Sequence, residues 1–396
     1  MYKHENTIFN ELYKLLPILQ FKQYAGQHKV DMYTKKFDSM SLLKVLLYAQ
    51  ATWKNSLRDI ETALWVAHQN HLYHLWLQSV ARSTIADHNN WTDSVIFEHL
   101  FCELLKECKK YDYKNKLNIP NKIISTDATV VDLCLSMFDR AKFRKKKWAI
   151  KLHIWFDVAS QLPEFINITT WKDHEVKVAK QFNYSKYPEW TIFVMDRWYF
   201  DFTLFSTIAN DKQIFVTRLK SNNKYCIMKK YLITEEGISK DLIIWPDSVT
   251  WLENYNWELR LIEYYDKEHD VMYEFLTNNF ELSAKTIAEI YKLRRQVEEF
   301  FRWIKQNLKI KTFLWTSKNA VMNQIRVAMI YYLLMQYIRM KTNTKIWLLE
   351  FSRILWELLF ERMNLVDILW LKHKKIGLVR NKSSPNWYWL FENMKV

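Results

Sequence analysis

Three carboxylates occupy positions where a chemical role has to be weighed. Asp127 lies inside the β-branched run Ile-Ile-Ser-Thr-Asp-Ala-Thr-Val-Val, and Asp196 ends the apolar run Thr-Ile-Phe-Val-Met-Asp. Glu298 belongs to Tyr291-Lys-Leu-Arg294-Arg-Gln-Val-Glu298-Glu-Phe-Phe-Arg-Trp-Ile-Lys305. A lone Asp in a buried strand is costly, so Asp127 needs a partner, a metal or a mechanism. Carboxylates from separate elements suit Mg²⁺, a hard ion that keeps several waters and asks for few protein ligands. Two such ions about 3.5–4 Å apart can drive in-line phosphodiester cleavage, one activating the nucleophile and one stabilising the leaving oxygen. Asp127, Asp196 and Glu298 are therefore the candidate catalytic and metal-binding residues, with two Mg²⁺ expected and Mn²⁺ able to substitute. Glu298 has a plainer alternative: an i,i+4 pair with Arg294 on a surface helix, worth a few tenths of a kcal/mol.

These side chains meet only if two strands and a helix carry them. The segment around Glu298 has no Gly or Pro after a potential cap at Ser283, so one long helix is expected through Lys305. At about 100° per residue, Tyr291, Arg294, Glu298 and Lys305 share one stripe, and Ile290, Val297, Phe301, Ile304 and Leu308 an adjacent one. Strands are expected at 123–131, 149–158, 164–170, 191–196 and 213–219, then a β-rich stretch at about 221–280. Asp132, Asp139, Asp157 and Asp201 lie close to the candidates. Asp201 is set aside because it opens a helix while Asp196 ends a strand. The basic run Arg144, Lys145, Lys146 and Lys147 fits a hairpin lying on phosphates, or equally a solvated turn.

Before residue 118 the pattern is helical, with helices at 5–19, 42–52 and 57–68, one from 83 or 84, and one at 92–110. Ser41 and Ser56 are the candidate caps. The arrangement fits either a helix-turn-helix bundle, with Arg82, Ser83, Thr84 and His88 as possible DNA contacts, or a plain bundle. Helices at 319–340 and 344–363 and a basic, aromatic tail at 372–396 close the chain.

The 396 residues are 49% hydrophobic and 26% charged, with a formal net charge of +15, which describes a globular protein with a polyanionic partner. The most apolar run, at 327–338, is too short to span a bilayer and is bounded by Arg326 and Arg339. No membrane role is expected. The opening residues do not read as a signal peptide, and Cys102, Cys108, Cys134 and Cys226 lack metal or disulfide spacing, so a reducing cytoplasm is expected.

The layout strand–Asp, hairpin, strand–Asp, helix–Glu resembles an RNase H-like polynucleotidyl transferase, and three motifs make the resemblance specific. Asp196-Arg197-Trp-Tyr-Phe-Asp201 is similar to the second-aspartate motif Asp-Arg-Gly-Tyr-x-Asp of IS4-family DDE transposases. The helix matches that family's Tyr-x2-Arg-x3-Glu-x6-Lys signature at Tyr291, Arg294, Glu298 and Lys305, and Ser-Thr-Asp127-Ala-Thr resembles its first-aspartate motif. The likeness covers most of residues 1–340. It implies an α/β RNase H-like core at 119–340, the β-rich stretch being an insertion. A helical DNA-binding domain at 1–118 would precede this core, and a helical, basic tail at 341–396 would follow. It also implies an enzyme that cuts insertion-sequence ends and joins them to target DNA, working as a homodimer in a prokaryotic nucleoid. Tyr291, Arg294, Lys305 and Arg197 would then bind DNA. The alternatives are a nuclease without strand transfer, a catalytically inactive DNA-binding relative, and a structural RNA-binding protein.

One departure concerns glycine. Gly occurs 3 times, where ordinary usage gives about 28, and Trp occurs 19 times. An AT-rich gene can deplete Gly but cannot enrich Trp, whose codon is TGG. The family has Gly at positions matching Trp53, Trp76, Trp148, Trp198 and Trp315, whereas Trp303 matches a Trp the family uses. A source that decodes UGA as Gly would produce this pattern. A decayed element or a divergent, aromatic-rich relative would also do so.

Overall fold

The computed structural model describes residues 6–67, 80–111, 117, 119–132, 149–220, 224–247, 253–307, 317–344, 346 and 348–365. The chain forms two compact units, one built from Met1–Tyr111 with Asn307–Val396, the other from Asp112–Gln306.

The second unit is a mixed α/β body around one nine-stranded sheet. Its strands are β1 (Ile123–Asp132), β2 (Ala149–Asp157), β3 (Leu162–Thr170), β4 (Ile192–Met195), β5 (Ile214–Arg218), β6 (Tyr225–Lys230), β7 (Ile238–Pro246), β8 (Leu259–Asp266) and β9 (Val271–Thr277). They lie in the order β3-β2-β1-β4-β5-β9-β8-β7-β6. β1, β4 and β5 run parallel and the remaining pairs antiparallel. β4 is buried along its whole length, as its unbroken Ile-Phe-Val-Met run requires of a strand covered on both faces. The β-rich stretch is continuous with the rest, because β9 pairs with β5.

Alternation along the central strands separates two cores. Ile124, Phe193, Met195 and Phe215 pack with residues of α7 (Glu175–Lys180) and α8 (Phe202–Asn210). Ile123, Ile192, Val194, Ile214 and Val216 pack with Ile287, Ala288, Ile290 and Tyr291 of α9 (Ala284–Lys292). With side chains alternating every residue, Asp127 and Asp196 fall on the α9 side.

The expected single helix through Glu298 is two helices. α9 is capped by Ser283 and ends at Leu293, and α10 (Arg295–Asn307) follows. Arg294 N–H donates to Tyr291 O (3.0 Å), Gln296 N–H to Leu293 O (3.0 Å) and Val297 N–H to Arg294 O (3.1 Å), so the chain tightens to an i→i+3 pattern. No Gly or Pro causes this break. It follows from packing, with Tyr291 and Ile290 buried on one side of it and Val297, Phe300 and Phe301 on the other.

In the first unit the described elements before β1 are α1 (Ile8–Lys14), α2 (Ile18–Gln27), α3 (Ser39–Ala51), α4 (Leu57–Ala67), α5 (Arg82–Trp91) and α6 (Val95–Cys108). Asp38, not Ser41, caps α3, its side chain accepting from Ser41 N–H at 2.8 Å. Ser56 Oγ accepts from Asp59 N–H at the start of α4 (3.0 Å). α11 (Lys318–Thr342) packs against α3, α5 and α6, and α12 (Leu348–Leu358) against α3 and α11. Asn323 Nδ2 ties α11 to the α5 end through Asn89 O and Thr92 O, each 3.0 Å away. The apolar run at 327–338 is therefore a core helix, and no described helix is long and apolar enough to cross a membrane. These units divide the chain at 111/112 and 306/307, where the sequence suggested 118/119 and 340/341, because α11 carries the apolar face that the N-terminal helices need. The tail at 372–396 lies outside the described residues.

Candidate active site

Each of the two aspartates is held by the backbone that follows it. Asp127 stands one residue beyond the last β1–β4 pair, Thr126 with Met195, and Asp196 one residue beyond the same pair on β4. The register therefore carries the two side by side. Asp127 Oδ1 accepts from Ala128 N–H (2.8 Å), and Asp196 Oδ1 accepts from Arg197 N–H (2.7 Å) as cap of the 3₁₀ turn Arg197–Tyr199.

Arg294, in the turn between α9 and α10, links the third carboxylate to the first. Its Nη1 lies 3.1 Å from Asp127 Oδ2, and its Nη2 contacts Glu298 Oε1. The sequence offered Arg294 either a pairing with Glu298 or a DNA phosphate; the structure shows the pairing with Glu298 and adds Asp127. Burial pushes the Asp127 carboxyl up to about 7, with Asp196 and Glu175 adding to the rise while Arg294 and the Ala128 N–H oppose it. Burial works against the Arg294 cation, yet Tyr291, Asp127, Glu298 and Asp196 outweigh it and hold its pKa above the usual value.

The other expected contacts differ in exposure. Tyr291 is buried, its ring 4.7 Å from that of Phe275, and burial pushes its hydroxyl up to about 12. It belongs to the core stripe and not to an exposed face. Lys305 is half-buried in the last turn of α10, and Arg197 is exposed, 5.7 Å from the centre of the Trp198 ring. Arg144, Lys145, Lys146 and Lys147 lie outside the described residues. Among the N-terminal candidates, Arg82, Ser83 and Thr84 are exposed. His88 instead packs edge-on to Phe37 and pairs with Thr92 Oγ1 (2.9 Å).

The nearby acids have structural work. Asp201 caps α8 through Leu204 N–H (2.9 Å) and pairs with Lys180 (2.8 Å). Asp157 pairs with Lys122 at 3.4 Å. The sequence reading did not single out Arg218. Its signal was a third apolar strand, Ile-Phe-Val-Thr-Arg218, ending in a charge as β4 ends in Asp196.

The donor set fits a hard divalent ion: only oxygen donors, with enough negative charge that a guanidinium is drawn between two of them. Among the described residues, one group brings three potential ligand atoms within 4.8 Å of one another, Asp266, Glu268 and His269 in the β8–β9 turn. Asp266 is already paired there with His269 (3.0 Å) and Lys292 (3.7 Å). The Asp127, Asp196 and Glu298 set is wider, with Arg294 between two of its members.

The family model described as "Transposase DDE domain" matches residues 119–334, more than half of the chain. The chain belongs to the DDE transposase family. It is a DNA transposase of the IS4 kind, and its class is that of the polynucleotidyl transferases and endonucleases, which use divalent metal. A second model, described as a domain of unknown function, matches residues 4–78. The transposase is 26% identical over 266 residues to a probable transposase for insertion sequence element IS5377 of Geobacillus stearothermophilus, covering 65% of this chain and 68% of that one. It is 27% identical over 296 residues to putative transposase y4zB of Sinorhizobium fredii, covering 73% and 80%. It is 23% identical over 304 residues to a putative transposase for insertion sequence element IS4SA of a Synechocystis species, covering 74% and 82%. Among solved structures, a piggyBac transposase synaptic complex with hairpin DNA aligns at a TM-score of 0.47 and 10% identity, covering 99% of this transposase and 85% of that chain.

Proposed function

We propose that Asp127, Asp196 and Glu298 are the catalytic carboxylates of this transposase, holding two Mg²⁺, or Mn²⁺ in their place, where β4 ends beside the middle of β1. The observation that carries this is the register: Asp127 and Asp196 each follow the last pair between the parallel strands β1 and β4, and Arg294 ties Glu298 to the first of them. The strand order β3-β2-β1-β4-β5 with β2 antiparallel supports an RNase H-like core. When bound, the divalent ions would supply an activated hydroxyl nucleophile and stabilise the leaving 3′ oxygen.

The protein's own part is to orient and neutralise. The Ala128 and Arg197 N–H groups each fix one carboxylate oxygen, so the strand ends present their acids in a set orientation. Arg294 would exchange its carboxylate partners for a DNA phosphate, and Lys305 and Arg197 would add phosphate contacts. The substrates are the ends of an insertion sequence and a target duplex, engaged by a homodimer in the bacterial nucleoid. Purified protein should nick duplexes from the DNA flanking its gene in Mg²⁺, and Glu298→Gln should lower that rate by at least about 10²-fold. A Glu298→Gln enzyme that nicks at the wild-type rate refutes the assignment. End cleavage without joining would favour a nuclease.

A further inference from the structure

Arg218 ends β5, and the register that aligns Asp127 with Asp196 continues to it. Val194 pairs with Val216 in the last pair between β4 and β5, and Asp196 and Arg218 each lie two residues beyond it. Ile214 and Val216 belong to the α9-side core, so alternation turns Arg218 to the same side as Asp127 and Asp196. Its guanidinium lies 4.8 Å from the centre of the Tyr273 ring, and its field reaches the Tyr291 hydroxyl. Arg218 is half-buried, and no carboxylate pairs with it among the described residues, although Asp196 lies just past the end of the neighbouring β4. A guanidinium with an aromatic ring beside it and no carboxylate partner keeps its donors available to another anion.

We infer that Arg218 is a positioning residue that binds a DNA phosphate next to the scissile one, which rests on the catalytic assignment above. A guanidinium offers no metal ligand but matches the bidentate geometry of a phosphate, and the Tyr273 ring packs against it. Asp127 on β1, Asp196 after β4 and Arg218 on β5 then read acid, acid, base across three consecutive strands of the sheet. The test uses duplexes tiled across the DNA that flanks the gene, with binding measured against salt. Arg218→Ala should make the slope of log K against log salt shallower by about one. Arg218→Lys should restore it, while melting temperature and Mn²⁺ titration without DNA stay as in wild type. An Arg218→Ala slope equal to wild type, in a protein with unchanged melting temperature, overturns the inference. So does a variant of either kind that loses its folded sheet, since Arg218 is then structural. Wild-type protein that binds and nicks none of the tiles refutes the catalytic reading instead.

An independent observation concerns two tryptophans. Trp53 (φ 52°) and Trp190 (φ 65°) adopt the left-handed backbone that disfavours bulky side chains. Trp53 follows the α3 C-cap, Thr52; its N–H donates to Gln50 O (3.4 Å) and Lys54 N–H to Ala49 O (3.0 Å). That pair of bonds is the Schellman motif, whose left-handed position is usually Gly. Trp190 is third in the turn closed by Thr191 N–H to Pro188 O (3.3 Å), the place where a type II turn asks for Gly. Trp190 and Trp198 are also 58% and 65% exposed, so neither indole is held by a core.

We propose that Trp53 and Trp190 stand at positions the source organism makes as glycine, through UGA codons. The gene should carry TGA at both and TGG at Trp303; TGG at either site overturns this. The double variant Trp53→Gly/Trp190→Gly should melt about 2–4 °C higher, and a lower melting temperature would also overturn it.

Discussion

Arg294 stands where the charges of the site meet, between Asp127 and Glu298. Without metal, Asp127 still carries an unfavourable buried charge, because its carboxyl is raised to about 7. A carboxyl raised on folding binds protons in the native state that the unfolded chain has already released. Stability is therefore lost as pH climbs from the ordinary carboxylate value through about 7. Asp127→Asn removes this dependence, so in chelator the melting temperature of the variant relative to wild type should rise from pH 5 to pH 8. A constant difference across that range would show that Asp127 does not titrate there. Arg294→Ala should leave Asp127 and Glu298 without their shared cation and flatten the salt dependence of DNA binding. Unchanged binding and an unchanged slope would remove it from the phosphate contacts. The three proposed carboxylates are marked in the sequence by an Asp inside one apolar run, an Asp ending another and a Glu at helical spacing from Arg294. Of Arg294's two partners, Glu298 follows from the i,i+4 spacing, but Asp127 is far away in sequence and only the fold brings it within 3.1 Å.

Among the elements, periodicity located the strands well and their pairing poorly. The run Ile-Phe-Val-Met announces a buried central strand, but nothing local says that β9 joins β5 and extends the sheet to nine strands. The helix break at Leu293 was also invisible, because it is made by packing and not by a breaking residue. Asp241 and Arg260 join β7 to β8 inside the extension, with Arg260 Nε and Nη2 donating to the two carboxylate oxygens at 2.8 and 2.7 Å. Arg260 Nη1 also donates to Leu282 O at 2.6 Å, next to the cap of α9. Removing one partner of a buried pair leaves the other uncompensated, so Asp241→Ala should destabilise the protein by about 3–5 kcal/mol. Denaturant melts can check this, and a loss under about 1 kcal/mol would mean the pair behaves as a surface one.

For the whole molecule, the sequence suggested three consecutive domains, and the chain instead makes one unit from both its ends. Helices α3, α5 and α6 all pack on α11. A fragment of residues 1–111 should therefore show little cooperative melting by circular dichroism, and adding residues 307–396 in trans should restore it. A sharp transition for the short fragment alone would show that the six helices are self-sufficient. The net charge of +15 was readable at this scale and agrees with DNA as partner.

The split unit also sets an order of events on the ribosome. At about 5–20 residues per second, the stretch from the end of α6 to the end of α11 takes roughly 10–50 s to synthesise. Throughout that interval the sheet can close as its own strands emerge, while the first six helices wait with apolar surface uncovered. A nascent transposase is therefore exposed to chaperones and proteases through its earliest segment, and a message cut short before α11 yields a protein whose α3, α5 and α6 lack the helix they share.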